Sequence, residues 1–106
     1  MTDSTEEKRK SPRLPLDVQV NYQGNAFAKS KDISSGGICL ITEEALEEKK
    51  IYKLAFSFPG EKELLESFGK VMWSRQATEH LYESGLSFWD IEKNLQEKID
   101  NYFENS

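Results

Sequence analysis

Two short segments hold the residue types from which a ligand site could be built. Near the start, Arg9-Lys10-Ser11-Pro12-Arg13 sets two arginines four positions apart. Pro12 discourages a helix there, because the residue before a proline is pushed toward extended backbone. On an extended leader both guanidinium groups can close on one ligand from different sides. Their planar forks suit phosphate oxygens and the O6/N7 edge of guanine alike. Farther along, Asp32 and Ser34 stand two apart before Gly36-Gly37. An ionised carboxylate accepts N–H donors such as those on guanine's other edge, and glycine lets a planar base approach the backbone. The chemistry on offer is recognition of an anionic, planar ligand.

Catalysis has little material. His80 is the single histidine and lies among Thr78, Glu79, Leu81 and Tyr82, which reads as a surface or loop position. Cys39 sits in an apolar run with no basic neighbour in sequence, as a buried structural thiol would. No nucleophile is paired with a base, so an enzyme is not expected. One cysteine and one histidine cannot furnish a four-ligand zinc site, so neither a metal nor another cofactor is expected. Gly36-Gly37 has neither the spacing of a dinucleotide fingerprint nor a following Gly-Lys-Ser/Thr run.

Strands must position these groups. Leu16, Val18, Val20 and Tyr22 alternate with Asp17, Gln19 and Asn21, the pattern of a half-buried strand, and Gln23-Gly24-Asn25 supplies a turn. A second strand is expected over Ala26 to Ile33, ending in the Asp32–Gly37 bend, and a third over Ile38 to Ile41. Thr42 to Lys50 is acidic, with little core signal, and fits either a helical turn or an exposed loop. Tyr52, Leu54, Phe56 and Phe58 alternate up to Pro59-Gly60. Leu64 to Arg75 reads as a strand with a bulge or close contact at Gly69, and Leu81 to Trp89 as the last strand. Ile91, Leu95, Ile99, Tyr102 and Phe103 then recur at helical spacing, so an amphipathic helix over Ile91 to Phe103 is expected, capped by Asp90 and packed on the open end of a small antiparallel barrel. The two tryptophans, Trp73 and Trp89, are expected in the core or barrel wall. The domain plan is a basic arm over 1–13, a barrel over 14–89 and a helix over 90–106.

The whole chain of 106 residues suits one domain, with 37% hydrophobic and 31% charged residues. That mixture excludes collagen-like, membrane-spanning and long coiled-coil classes. Met1 to Lys10 is polar, unlike a signal peptide, so the cytoplasm is the expected compartment. The net charge of −5 is unevenly spread: residues 1–13 carry four cations against three acids, leaving +1 on the arm and −6 on the body. A flexible basic leader on an acidic body favours a local anion site over an extended nucleic-acid track.

The ordered pair of motifs resembles the PilZ domain family, whose signature is Arg-x-x-x-Arg followed by Asp/Asn-x-Ser-x-x-Gly. Arg9 and Arg13 match the first part; Asp32, Ser34 and Gly37 match the second. Phe56-Ser57-Phe58-Pro59, Gly69-Lys70-Val71-Met72-Trp73 and Glu83-Ser84-Gly85-Leu86-Ser87-Phe88 are similar to later strands of the family, with Ser84 where an apolar residue is commoner. The resemblance implies an all-β fold: a six- or seven-stranded antiparallel barrel with a C-terminal helix that binds cyclic di-GMP, a bacterial second messenger. It further implies that Arg9 and Arg13 grip phosphate and guanine while Asp32, Ser34 and Gly37 hold a base. Gly36 and Gly85 would line the same surface, and Lys8 would bear on whether one nucleotide or an intercalated pair binds, a pair being expected. The implied role is a receptor and adaptor that orders its arm on the ligand and relays the signal to an unidentified protein partner, without membrane insertion. The alternative is a PilZ-like protein-interaction module that no longer binds nucleotide.

Overall fold

The computed structural model describes residues 13–24, 26–89, 91 and 93–104. Seven strands and one helix follow in order: β1 (Leu14–Pro15), β2 (Gln19–Tyr22), β3 (Ala26–Ser34), β4 (Gly37–Thr42), β5 (Ile51–Phe56), β6 (Leu65–Gln76), β7 (Tyr82–Trp89) and α1 (Lys93–Glu104). The strands pair antiparallel in the order β1-β3-β2-β5-β6-β7-β4, and a further β3–β4 pairing closes the sheet. The result is a six-stranded barrel with β1 as an extra strand on β3, as the alternating patterns require. Closure removes the exposed sheet edges that an open sheet would present.

Alternation sorts side chains to the two sides of the wall. Val20, Ile33, Ile38, Leu40, Leu54, Phe56, Val71 and Leu86 point inward and are at most 2% exposed. Each contributes about 1.5–3 kcal/mol by leaving water. Leu95 and Ile99 of α1 join the same core, with Phe103 packed beside them. A helix this short is marginal alone. Here it is fastened by that stripe, by Tyr102 against the Phe58 ring at 5.0 Å, and by Lys98 on Glu61 at 2.9 Å. The expected cap, Asp90, lies outside the described residues, as does most of the arm with Lys8 and Arg9.

The structure corrects the start of one strand and decides three open alternatives. The strand expected over Leu16 to Tyr22 begins only at Gln19, because buried Ser30 takes the ladder's place: its hydroxyl donates to the Leu16 carbonyl and accepts the Val18 N–H at 2.9 Å. The Thr42–Lys50 segment is an irregular loop, yet it sends Leu46 into the core. Of core or barrel wall, Trp73 and Trp89 take the wall, 38% and 52% exposed on its outer side. Finally, the bulge of β6 is not at Gly69. The register slips between Val71 and Trp73, whereas Gly69 is a close contact: a Cβ there would lie 2.8 Å from Leu54 Cδ1. Ser84, the polar residue in an apolar slot, is fully buried and donates to Ser74 Oγ at 2.9 Å.

Candidate functional site

The Asp32–Gly37 bend is built around one hydroxyl. Ser34 Oγ accepts the N–H groups of Gly36 and Gly37, both at 3.2 Å, so the side chain holds the turn from β3 into β4. Glycine is required at position 37, where a Cβ would lie 2.2 Å from the Leu86 carbonyl oxygen of β7. At Gly36 the corresponding space is open. Arg13, just before β1, is brought to the same hydroxyl: its Nη1 donates to Ser34 Oγ at 3.1 Å, and its Nε lies 3.0 Å from Asp32 Oδ1. That carboxylate oxygen is sealed from solvent and accepts no well-aligned hydrogen bond among the described residues, so its contact with Arg13 is one of charge, with accepting capacity left over. The two motifs, 19 residues apart between Arg13 and Asp32, therefore meet.

Register continues the site across the outer wall. Asp32 pairs with Cys39, Cys39 with Gly85, and Gly85 with Trp73, giving one row over β3, β4, β7 and β6. The neighbouring row runs Ser34, Gly37, Ser87, Lys70. Small residues thus form a floor between Arg13 on one side and Met72 and Trp73 on the other, enclosing a cavity of about 160 Å³ lined also by Ser34, Gly36 and Gly85. The bulge explains the far wall. With strict alternation Trp73 would follow Val71 inward, but the extra residue turns both Met72 and Trp73 outward. The indole edge then rests directly on Gly85, with Nε1 2.3 Å from where a Cβ would stand.

A third row, on the other side of the first, runs Lys29, Ile41, Glu83, Arg75, and its charge is concentrated on Glu83. Its Oε2 receives Lys31 Nζ at 2.7 Å and the Cys39 thiol at 3.4 Å, and its Oε1 receives Arg75 Nη2 at 3.3 Å. Bonding from Lys31 holds the Glu83 carboxyl below the usual carboxylate range, and the same bond raises the Lys31 ammonium. The Cys39 thiol is pushed up to about 12, first by burial and then by its bond to Glu83, so it stays protonated and is no nucleophile. His80 is exposed at the β6–β7 turn, where its nearest charged group is Glu79 at 3.8 Å. A larger groove of about 510 Å³ lies between Gln19, Phe27, Ile41 and Leu81. Its cation, Lys29, is already paired with Asp17 at 2.8 Å, and none of the motif residues line it.

Against known proteins, the PilZ domain family matches residues 7–105. The chain belongs to the PilZ domain family. Two solved structures share the fold. One is the inhibitor of motility MotI/DgrA of Bacillus subtilis, with a TM-score of 0.76 and 19% identity over 89% of this chain and 48% of that one. The other is YcgR of Escherichia coli in complex with c-di-GMP, with a TM-score of 0.73 and 11% identity over 92% of this chain and 45% of that one. The chain thus spans about half the length of each. No curated protein matches the sequence.

Of the residues singled out in this PilZ domain, Arg13, Ser34, Gly36, Gly37 and Gly85 line one cavity, with Asp32 against Arg13. Sequence reasoning missed Trp73, Met72 and Ser87. Trp73 was expected in the core or barrel wall, and no residue type announces the slip that turns it outward beside the cavity.

Proposed function

We propose that this PilZ domain is a receptor for cyclic di-GMP, binding the nucleotide without transforming it. The observation that carries this reading is the meeting of Arg13 with Asp32 and Ser34 at 3.0 and 3.1 Å, on the rim of a shallow, glycine-floored cavity. Guanidinium, carboxylate and hydroxyl are the three groups needed to hold phosphate and both edges of guanine. Gly36 leaves open space for a flat base, Gly85 lets the Trp73 indole lie close on the floor, and Gly37 keeps β4 close to β7. The c-di-GMP in the YcgR complex, on the same fold, supports the choice of nucleotide.

Arg9 and Lys8, outside the described residues, complete the site in this reading, with Lys8 favouring an intercalated nucleotide pair. Ordering the arm costs roughly 1–2 kcal/mol per backbone residue, so contacts must exceed several kcal/mol before binding is measurable. Micromolar or tighter affinity, about −8 kcal/mol, is expected. The receptor acts in the cytoplasm, and the ordered arm creates or hides a surface read by a protein partner.

Titration calorimetry with cyclic di-GMP gives affinity and stoichiometry together. Arg13→Ala is expected to lower affinity by on the order of 2–5 kcal/mol, because it removes a charged donor to the ligand and leaves the part-buried Asp32 carboxylate without its cation. Asp32→Ala is expected to hurt cyclic di-GMP more than its adenine analogue. Equal losses for the two ligands would remove Asp32 from base recognition. No heat with the unaltered protein would leave the alternative, a PilZ-like protein-interaction module.

A further inference from the structure

Glu83 is the one acidic or basic residue that is buried among the described residues, its side chain 9% exposed. One cation suffices to neutralise it, and Lys31 at 2.7 Å is the close one, with the Cys39 thiol satisfying further accepting capacity. Arg75 is therefore surplus to that task. Its contact is longer, 3.3 Å, and its side chain is 66% exposed, the situation in which an ion pair contributes little to stability. Its guanidinium carbon also stands 5.1 Å from the centroid of the Trp73 ring. Trp73 lines the cavity and rests on Gly85, so Arg75 is a weakly held, planar cation one side chain removed from the cavity, against the ring that forms its far wall.

Resting on the receptor reading above, we infer that Arg75 is a third guanidinium of the nucleotide site, held in reserve by Glu83. A nucleotide phosphate offers Arg75 a fully charged acceptor, whereas the charge of Glu83 is already shared between Lys31 and Cys39. On binding, Arg75 passes from Glu83 Oε1 to the nucleotide while Lys31 keeps Glu83 neutralised. Stacking on Trp73 limits the guanidinium to a short swing, since the ring attracts a cation over its face. Glu83 is then a positioning residue that competes with the ligand for Arg75 and so sets the concentration at which the site fills.

The test is a double-mutant cycle read by calorimetry with cyclic di-GMP, with circular dichroism melting of every variant. Arg75→Ala is expected to weaken binding roughly five- to tenfold and to flatten its dependence on salt. Glu83→Gln is expected to tighten binding a few-fold in the natural background and to do nothing in the Arg75→Ala background. A merely structural Glu83 would not tighten binding, and a through-space charge effect would tighten both backgrounds alike. Either outcome, or unchanged affinity and salt dependence in Arg75→Ala, overturns the inference while leaving the receptor reading intact. Absence of binding by the unaltered protein overturns both. Should Glu83→Gln fail to fold, Arg75→Glu decides instead: it is expected to bind more weakly than Arg75→Ala, and wild-type affinity rules the inference out.

Discussion

The inner and outer faces of the wall formed by β3, β4, β7 and β6 use the same strands and obey opposite rules. Inside, Ile33, Ile38, Leu40, Leu86 and Val71 fill space, and what matters is that they are large and apolar. Outside, Gly37, Cys39, Gly85 and Ser87 leave space, and what matters is that they are small. A core tolerates exchanges that conserve volume. A floor tolerates none that raise it. The two glycines of the bend make the contrast sharpest, since one is wedged against β7 and the other faces open space.

The strongest way to break the contrast is therefore at those two positions. Gly37→Ala must push a methyl into the Leu86 carbonyl oxygen, which is backbone and cannot swing aside, and is expected to cost about 3 kcal/mol or more. Gly36→Ala, one residue away, is expected to stay within about 0.5 kcal/mol of the natural protein in the same thermal or urea melts. Equal costs would mean that the bend, not the contact with β7, selects glycine. Next in size is Gly85→Ala. There the clash is with the Trp73 indole, which can lift, so stability should fall by only about 1 kcal/mol while nucleotide affinity falls roughly tenfold. Tryptophan fluorescence should report the lifted ring, and an unmoved spectrum with intact binding would detach Trp73 from the site.

The smallest effect concerns pH. Glu83 has its carboxyl lowered chiefly by Lys31, so the stability it contributes is present above the ordinary carboxylate value of 4.5 and is lost as pH falls through its lowered value. Lys31 works in the opposite sense: its raised ammonium contributes below 10.5 and ceases to as pH rises through the raised value. Glu83→Gln is expected to flatten both limbs of the stability profile by denaturant titration. An acid limb that keeps its slope would assign acid sensitivity to other carboxylates.

The inner face was legible because its code is periodic. Alternation at Leu16–Tyr22, Tyr52–Phe58 and Leu81–Trp89, and the three-to-four spacing after Ile91, each led to the right element within a few residues. The motif residues were legible because they are few, chemically distinct and ordered. What escaped were places where one residue interrupts the period. Ser30 replaces backbone partners with a hydroxyl and shortens β2; Met72 inserts itself into β6 and turns Trp73 around. In both cases the side chains are those a regular strand would accept, and tertiary pairing alone decides the slip. Leu46 escaped for a related reason, as a lone leucine in an acidic loop carries no period.

The Ser30 interruption has a mechanical consequence. Between Arg13 and the continuous part of the barrel, the regular ladder is limited to the Leu14–Ile33 and Pro15–Asp32 pairs; beyond them the chain is held by the Leu16 N–H to the Lys31 carbonyl, by the Ser30 bonds to Leu16 and Val18, and by buried Leu16. A force applied at Arg13 is resisted by that short splice and not by a full ladder, so the leading segment can be displaced while the barrel stays shut. The carbonyl of Pro15 is also the acceptor for the Tyr102 hydroxyl at 2.8 Å, which makes the last turn of α1 the part of the molecule most directly tugged by such a displacement.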